Sequence, residues 1–141
     1  MTNETKRVTG FIVLSVPTII YGGYFLLTVL NGQQEHLHLT DFQKSMFRAG
    51  HAHAGVLVIF SLLIQLFTDS VTLTNRWKWF IRLSFPIAAI LISLGFFASA
   101  IGNQITKPTE LIFILYTGIA LLIIGLLTLG VGLIRGEKGS R

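Results

Sequence analysis

Hydrophobic residues fall in four long runs separated by short polar stretches, and each run approaches the roughly 20 residues that a hydrocarbon core about 30 Å thick demands of a helix. The pattern predicts spans at about Val8 to Leu30, Gly50 to Thr68, Trp79 to Ile101 and Leu111 to Ile134. The expected fold is therefore an all-α four-transmembrane-helix bundle, one integral membrane domain over residues 1–141. The connections are short and leave no room for a soluble catalytic domain, so any activity must lie inside the bundle or at its rim. The first run follows Lys6 and Arg7 as a secretory signal would, but it is too long for an h-region and has no convincing small-residue cleavage site. It reads as a retained helix.

The polar stretches differ in promise. The longest, Asn31 to Ala49, carries His36, His38, Asp41, Lys44 and Arg48. From Thr40 onward it can form an interfacial helix, with Thr40 or Asp41 as cap and Phe42, Met46 and Phe47 at helical spacing. Trp77 and Trp79, among Arg76, Lys78 and Arg82, mark the cytoplasmic interface where the third span begins. Gly102 to Glu110, with Pro108, reads as a plain turn. Within the spans, Gly118, Gly125 and Gly132 recur every seven residues and line one helix face, which predicts a packing seam. Pro17 and Pro86 would kink the first and third spans. Ser61 and Gln65 share a face one turn apart and suit hydrogen bonding between helices.

Composition agrees with the membrane reading: 52% of the 141 residues are hydrophobic and 12% charged, far from a soluble domain of this length. A net charge of +5 would point to nucleic acid in a soluble protein, but its distribution explains it otherwise. Lys6, Arg7, Arg76, Lys78, Arg82, Arg135, Lys138 and Arg141 fall on one side of a four-span topology, against Lys44, Arg48 and Lys107 on the other. The positive-inside rule then predicts both termini in the cytoplasm, membrane lipid as the surroundings and no nucleic-acid partner. The expected location is the plasma membrane of a prokaryote. The absence of cysteine removes disulfides, iron–sulfur ligands and thiolate metal sites. There is no Walker loop and no dinucleotide fingerprint, and Asp69, Glu110 and Glu137 all fall at span ends, so a pump built on intramembrane carboxylates is not expected.

Histidine remains as the candidate ligand. His51 and His53 stand at the mouth of the second span in Arg48-Ala49-Gly50-His51-Ala52-His53-Ala54-Gly55, and histidine at membrane depth usually faces a bundle interior and has a function. Residues i and i+2 of a helix are turned by about 200° from each other, so the two rings project from nearly opposite faces and cannot easily share one ion. A helix wedged between two sites, giving one imidazole to each, suits low-spin haem b, which takes an imidazole on each side of the iron in an apolar slot. Val56, Leu57 and Phe60 would supply apolar walls, Arg48 would meet the propionates, and Gly50 and Gly55 would allow close approach of a flat ring or another helix.

The stretch from Gly50 to Phe60 resembles the haem-ligating helices of subunit I of the haem-copper oxidases and nitric oxide reductases. In that family a His-x-His helix serves two haems from opposite faces, and the core is built from three pseudo-equivalent four-helix arcs. The resemblance implies a homotrimer imitating that core, with His51 of one protomer and His53 of a neighbour sandwiching haem near the outer face. The family's copper site needs histidines and a tyrosine on other helices, and no other span here has histidine, so oxygen reduction is not implied. What carries over is haem ligation, with electron transfer, haem handling or gas sensing as its use; the redox partner is unidentified.

Two other classes remain open. His36 and His38, with His51 or His53, could form an extracytoplasmic copper or zinc site of a binding or transport protein. Alternatively both rings of the pair merely bond to neighbouring helices or face interfacial water, and the chain is a cofactor-free accessory subunit whose asset is the glycine stripe.

Overall fold

The computed structural model describes residues 1–34 and 37–136. Four helices account for most of them: α1 (Asn3–Leu30), α2 (Asp41–Ser70), α3 (Asn75–Ala98) and α4 (Phe113–Gly136), the last preceded by a single 3-10 turn at Glu110–Ile112. All four are long and apolar enough to cross a membrane, as an integral membrane protein requires.

The helix starts differ from those expected, and capping explains why. Thr2 caps α1, its hydroxyl accepting from the Thr5 amide, so the helix begins five residues before Val8 and takes Lys6 and Arg7 into its first turns. Thr40 and Gln43 form a reciprocal capping box that launches α2 at Asp41. Nothing interrupts the helix before Gly50, so the expected interfacial helix and second span are one element of 30 residues. At 1.5 Å per residue α2 is about 45 Å long, longer than a hydrocarbon core, and its first turns stand at the interface. α3 stops at Ala98, three residues short of expectation, because Ser99 and Ala100 turn the chain. α1 and α3 contain Pro17 and Pro86 without ending there.

The helices pack in chain order, α1 on α2, α2 on α3, and α3 on α4, while α1 and α4 share no contact among the described residues. The bundle is thus open. Its tightest seam is α3 against α4, where the glycine stripe does what its spacing predicts. Gly118 and Gly125 are buried against Ile92 and against Ser84 and Phe85, and Gly132 against Leu73 and Val71. Gly95 on α3 meets the backbone of Leu115, a closeness that only two bare backbones reach. The main apolar core, Ile64, Val71, Ile81, Phe85 and Leu129, lies toward the α2–α3 connection, with Phe60 edge-on to Phe85 at 5.6 Å.

Two polar clusters tie the ends. At the α2–α3 end, Arg82 is 2% exposed. It donates to Asp69 at 2.6 Å, and Thr5 donates to the same carboxylate oxygen at 2.7 Å. Arg82 therefore points into the bundle rather than marking an interface beside the tryptophans. Gln65 donates to the Arg82 carbonyl at 3.0 Å, joining α2 to α3 as its position suggests, whereas Ser61 bonds within its own helix to Leu57. At the other end Gln43, also 2% exposed, donates to the carbonyls of Ala100 and Gly102, both at 2.9 Å. Thr40 donates to the carbonyl of Ile105. Gly102 to Glu110 is therefore a hydrogen-bonded rim docked on α2, not a plain turn.

Candidate functional site

The histidine pair sits in α2 three turns after its capping box, near the rim that Gln43 organises. The two rings do leave the helix on different sides. His51, half-buried, lies against α1: a Cβ built on Gly23 would stand 2.8 Å from both Cε1 and Nε2 of the imidazole, so the ring occupies the space a side chain at position 23 would fill. His53 turns toward α3, its ring 4.8 Å from that of Phe96 and tilted by 34°.

His53 carries the more informative chemistry. Its Nδ1 lies 2.8 Å from the carbonyl oxygen of Ala49, one turn back on the same helix. A carbonyl only accepts, so Nδ1 donates in this contact. Nε2 has no hydrogen-bond partner among the described residues, and His53 is exposed on the flank of the chain. An imidazole anchored through Nδ1 to a backbone carbonyl, with Nε2 free, is how metal-ligating histidines are usually held. The ring is held at Nδ1, flanked by Phe96 on one side, and the residue is exposed.

The residues grouped with the pair divide. Gly50 is buried and already filled from α3, since a Cβ there would lie 3.1 Å from Phe96 and Phe97. It serves packing between α2 and α3. Gly55 has open space at its Cβ position and remains accessible to a partner. Val56 is 67% exposed and points away from the chain, while Phe60 is engaged with Phe85. Leu57 is half-buried and Arg48 exposed. Val56 lies on the His53 side of α2, whereas Arg48 and Gly55 share the His51 side, so the three do not wall one flank, and Gly50 and Phe60 are used inside.

The structure does not join His38 to the pair. His36 lies outside the described residues, and His38 is exposed, its carbonyl accepting from Gln104 at 3.3 Å. Among the described residues no three of His, Cys, Asp and Glu gather as a metal would require.

Sequence reasoning missed Gln43 and Gly23. Gln43 sits at N3 behind Thr40, so the capping-box spacing was present, but its second role, gripping carbonyls 57 and 59 residues away, has no local signal. Gly23 follows Gly22 in a glycine pair whose partner ring comes from another helix. No protein-family model matches this chain, and no curated protein or solved structure matches it either.

Proposed function

We propose that this protein binds haem b at its outer membrane face through bis-histidine ligation shared between subunits. The observation that carries the reading is His53: Nδ1 anchored on Ala49, Nε2 without a hydrogen bond among the described residues, and the residue exposed on the flank of a single chain. One protomer offers one such imidazole to that flank. The opposite ligand is His51 of a neighbouring protomer, turned off Gly23 by a change of rotamer. A cyclic assembly closes with this heterologous contact, and three copies are the number the oxidase resemblance implies. Both termini lie in the cytoplasm of a prokaryotic cell, on the strength of the lysine and arginine bias.

The residues of this chain fit half of such a site. His53 supplies an imidazole held at Nδ1, Phe96 backs its ring and Val56 offers an apolar wall on the same face, while Arg48 and Gly55 belong to the His51 face, where Arg48 stands exposed for a carboxylate at the water boundary. Bound haem would supply one-electron exchange or a gas-sensitive iron centre; the chain itself contributes ligation, orientation and exclusion of water.

Protein purified in detergent is expected to show a Soret band and sharpened α and β bands on reduction, both lost in His53→Ala and in His51→Ala. Colourless protein that takes up no added haemin overturns the proposal. Stoichiometric copper or zinc without haem, lost in His36→Ala or His38→Ala, would replace it with the metal-binding reading.

A further inference from the structure

The open packing of α1 leaves a groove of about 570 Å³ between α1 and α3, floored by Ala54 and Val58 of α2. On α1 it runs from Val8 to Ile19, and on α3 from Leu83 to Phe97. Eleven residues of helix rise make it about 16 Å long, the depth of one leaflet, or half of the roughly 30 Å hydrocarbon core. Its lining is hydrocarbon even where hydroxyls occur on α1: Ser15 donates to the carbonyl of Ile12 and Thr18 to that of Ser15, both at 2.6 Å, turning their polar atoms onto the helix backbone.

A second cleft at the α2–α3 connection end lies between the same two helices, lined by Asn3, Glu4, Lys6 and Arg7 of α1 and by Trp79 of α3. Arg7 stands four residues before Phe11 on α1, and Trp79 four before Leu83 on α3, so each pair shares a helix face one turn apart. The cleft therefore lies one turn beyond the groove along the Arg7 and Trp79 faces. Two cations outnumber one carboxylate there, and Trp79 supplies the amphipathic ring that sits at headgroup level.

We propose that this groove is a specific site for one anionic phospholipid, its phosphate at Lys6 and Arg7 and one acyl chain laid along α1 from Val8 to Ile19. The match is of length and charge together: a slot one leaflet deep, apolar throughout its α1 wall, with a basic, tryptophan-flanked cleft one turn beyond it. The lipid would also supply the contact that α1 lacks, because among the described residues α1 packs closely on α2 and only sparingly on α3. Its headgroup end lies at the opposite end of the groove from the histidine pair.

Native mass spectrometry of the detergent-purified full chain, titrated with phosphatidylglycerol or phosphatidylcholine of equal chain length, tests it. One phosphatidylglycerol per protomer should be retained in preference to phosphatidylcholine. Arg7→Gln and Lys6→Gln should each weaken retention about fivefold, the worth of one cation near a charged headgroup, and Glu4→Gln should strengthen it. Ile90→Trp, at an exposed groove position, should displace the chain, and dihexanoyl phosphatidylglycerol, too short to fill the slot, should bind far more weakly. Haem content should not change with any of these variants, which separates failure here from failure of the haem reading. Equal retention of the two lipids, or indifference to Arg7→Gln, overturns the site. So does loss of binding in Ser93→Ala, because the Ser93 hydroxyl, unbonded at the other end of the groove, would then be receiving the polar head.

Discussion

A single buried side chain, Arg82, holds together three segments that are remote in sequence. Its guanidinium donates to Thr2, Thr5 and Asp69, while its carbonyl accepts from Gln65. A cation buried this deeply is tolerated only while paired, so removing its partner costs more than the pair itself contributes. Asp69→Ala is expected to lower stability by about 3 kcal/mol, near the low end for a broken buried pair because the Asp69 side chain retains 20% exposure. Arg82→Met should cost less, since the carboxylate left behind can hydrate. Equilibrium unfolding in mixed micelles measures both, and equal losses would argue against an interior charge. Gln43 works in the same way at the opposite end. Gln43→Ala would orphan the Ala100 and Gly102 carbonyls and cost about 1–3 kcal/mol.

Among the elements, α3 and α4 make the closest approach, and the glycines that permit it are not equivalent. A Cβ on Gly118 would stand 2.8 Å from the Ile92 side chain and 2.9 Å from its backbone nitrogen, and a backbone cannot step aside. Gly118→Ala is expected to destabilise by about 1–3 kcal/mol through overpacking. Gly130, on the same helix, meets nothing within 4 Å, so Gly130→Ala should be neutral or stabilising by up to about 1 kcal/mol. Thermal unfolding of the two variants side by side checks the contrast, and a loss in Gly130→Ala as large as in Gly118→Ala would mean that backbone flexibility matters there rather than packing. α2 shows what caps do to an element's length: the Thr40–Gln43 box adds nine residues ahead of Gly50 and brings the histidines three turns into a continuous helix.

At the scale of the whole molecule, the open arrangement of helices leaves His53 on an outer flank and His51 against α1. If one haem takes His51 from one subunit and His53 from the next, the two histidines can be supplied by different defective chains. His51→Ala and His53→Ala, each colourless alone, should recover a fraction of the Soret absorbance when co-expressed, because mixed interfaces then contain one intact pair. Spectrophotometry and subunit counting of tagged mixtures read this out. Absence of recovery, with both variants assembled into mixed oligomers, would place both ligands in one chain.

The hydrophobic pattern alone determined the number of helices, their order and the existence of a glycine seam, because span length and seven-residue spacing are local consequences of bilayer thickness and helix pitch. It also determined that the two histidines leave α2 on different sides, since 3.6 residues per turn allows nothing else. Only the tertiary structure decided which ring is anchored, that Gly50 is spent on Phe96 and Phe97 while Gly55 stays open, and that Arg82 turns inward to Asp69. Those outcomes depend on which side chains from distant segments arrive at the same place. Local spacing places a residue on a helix face, but what that face meets is settled by how the helices pack.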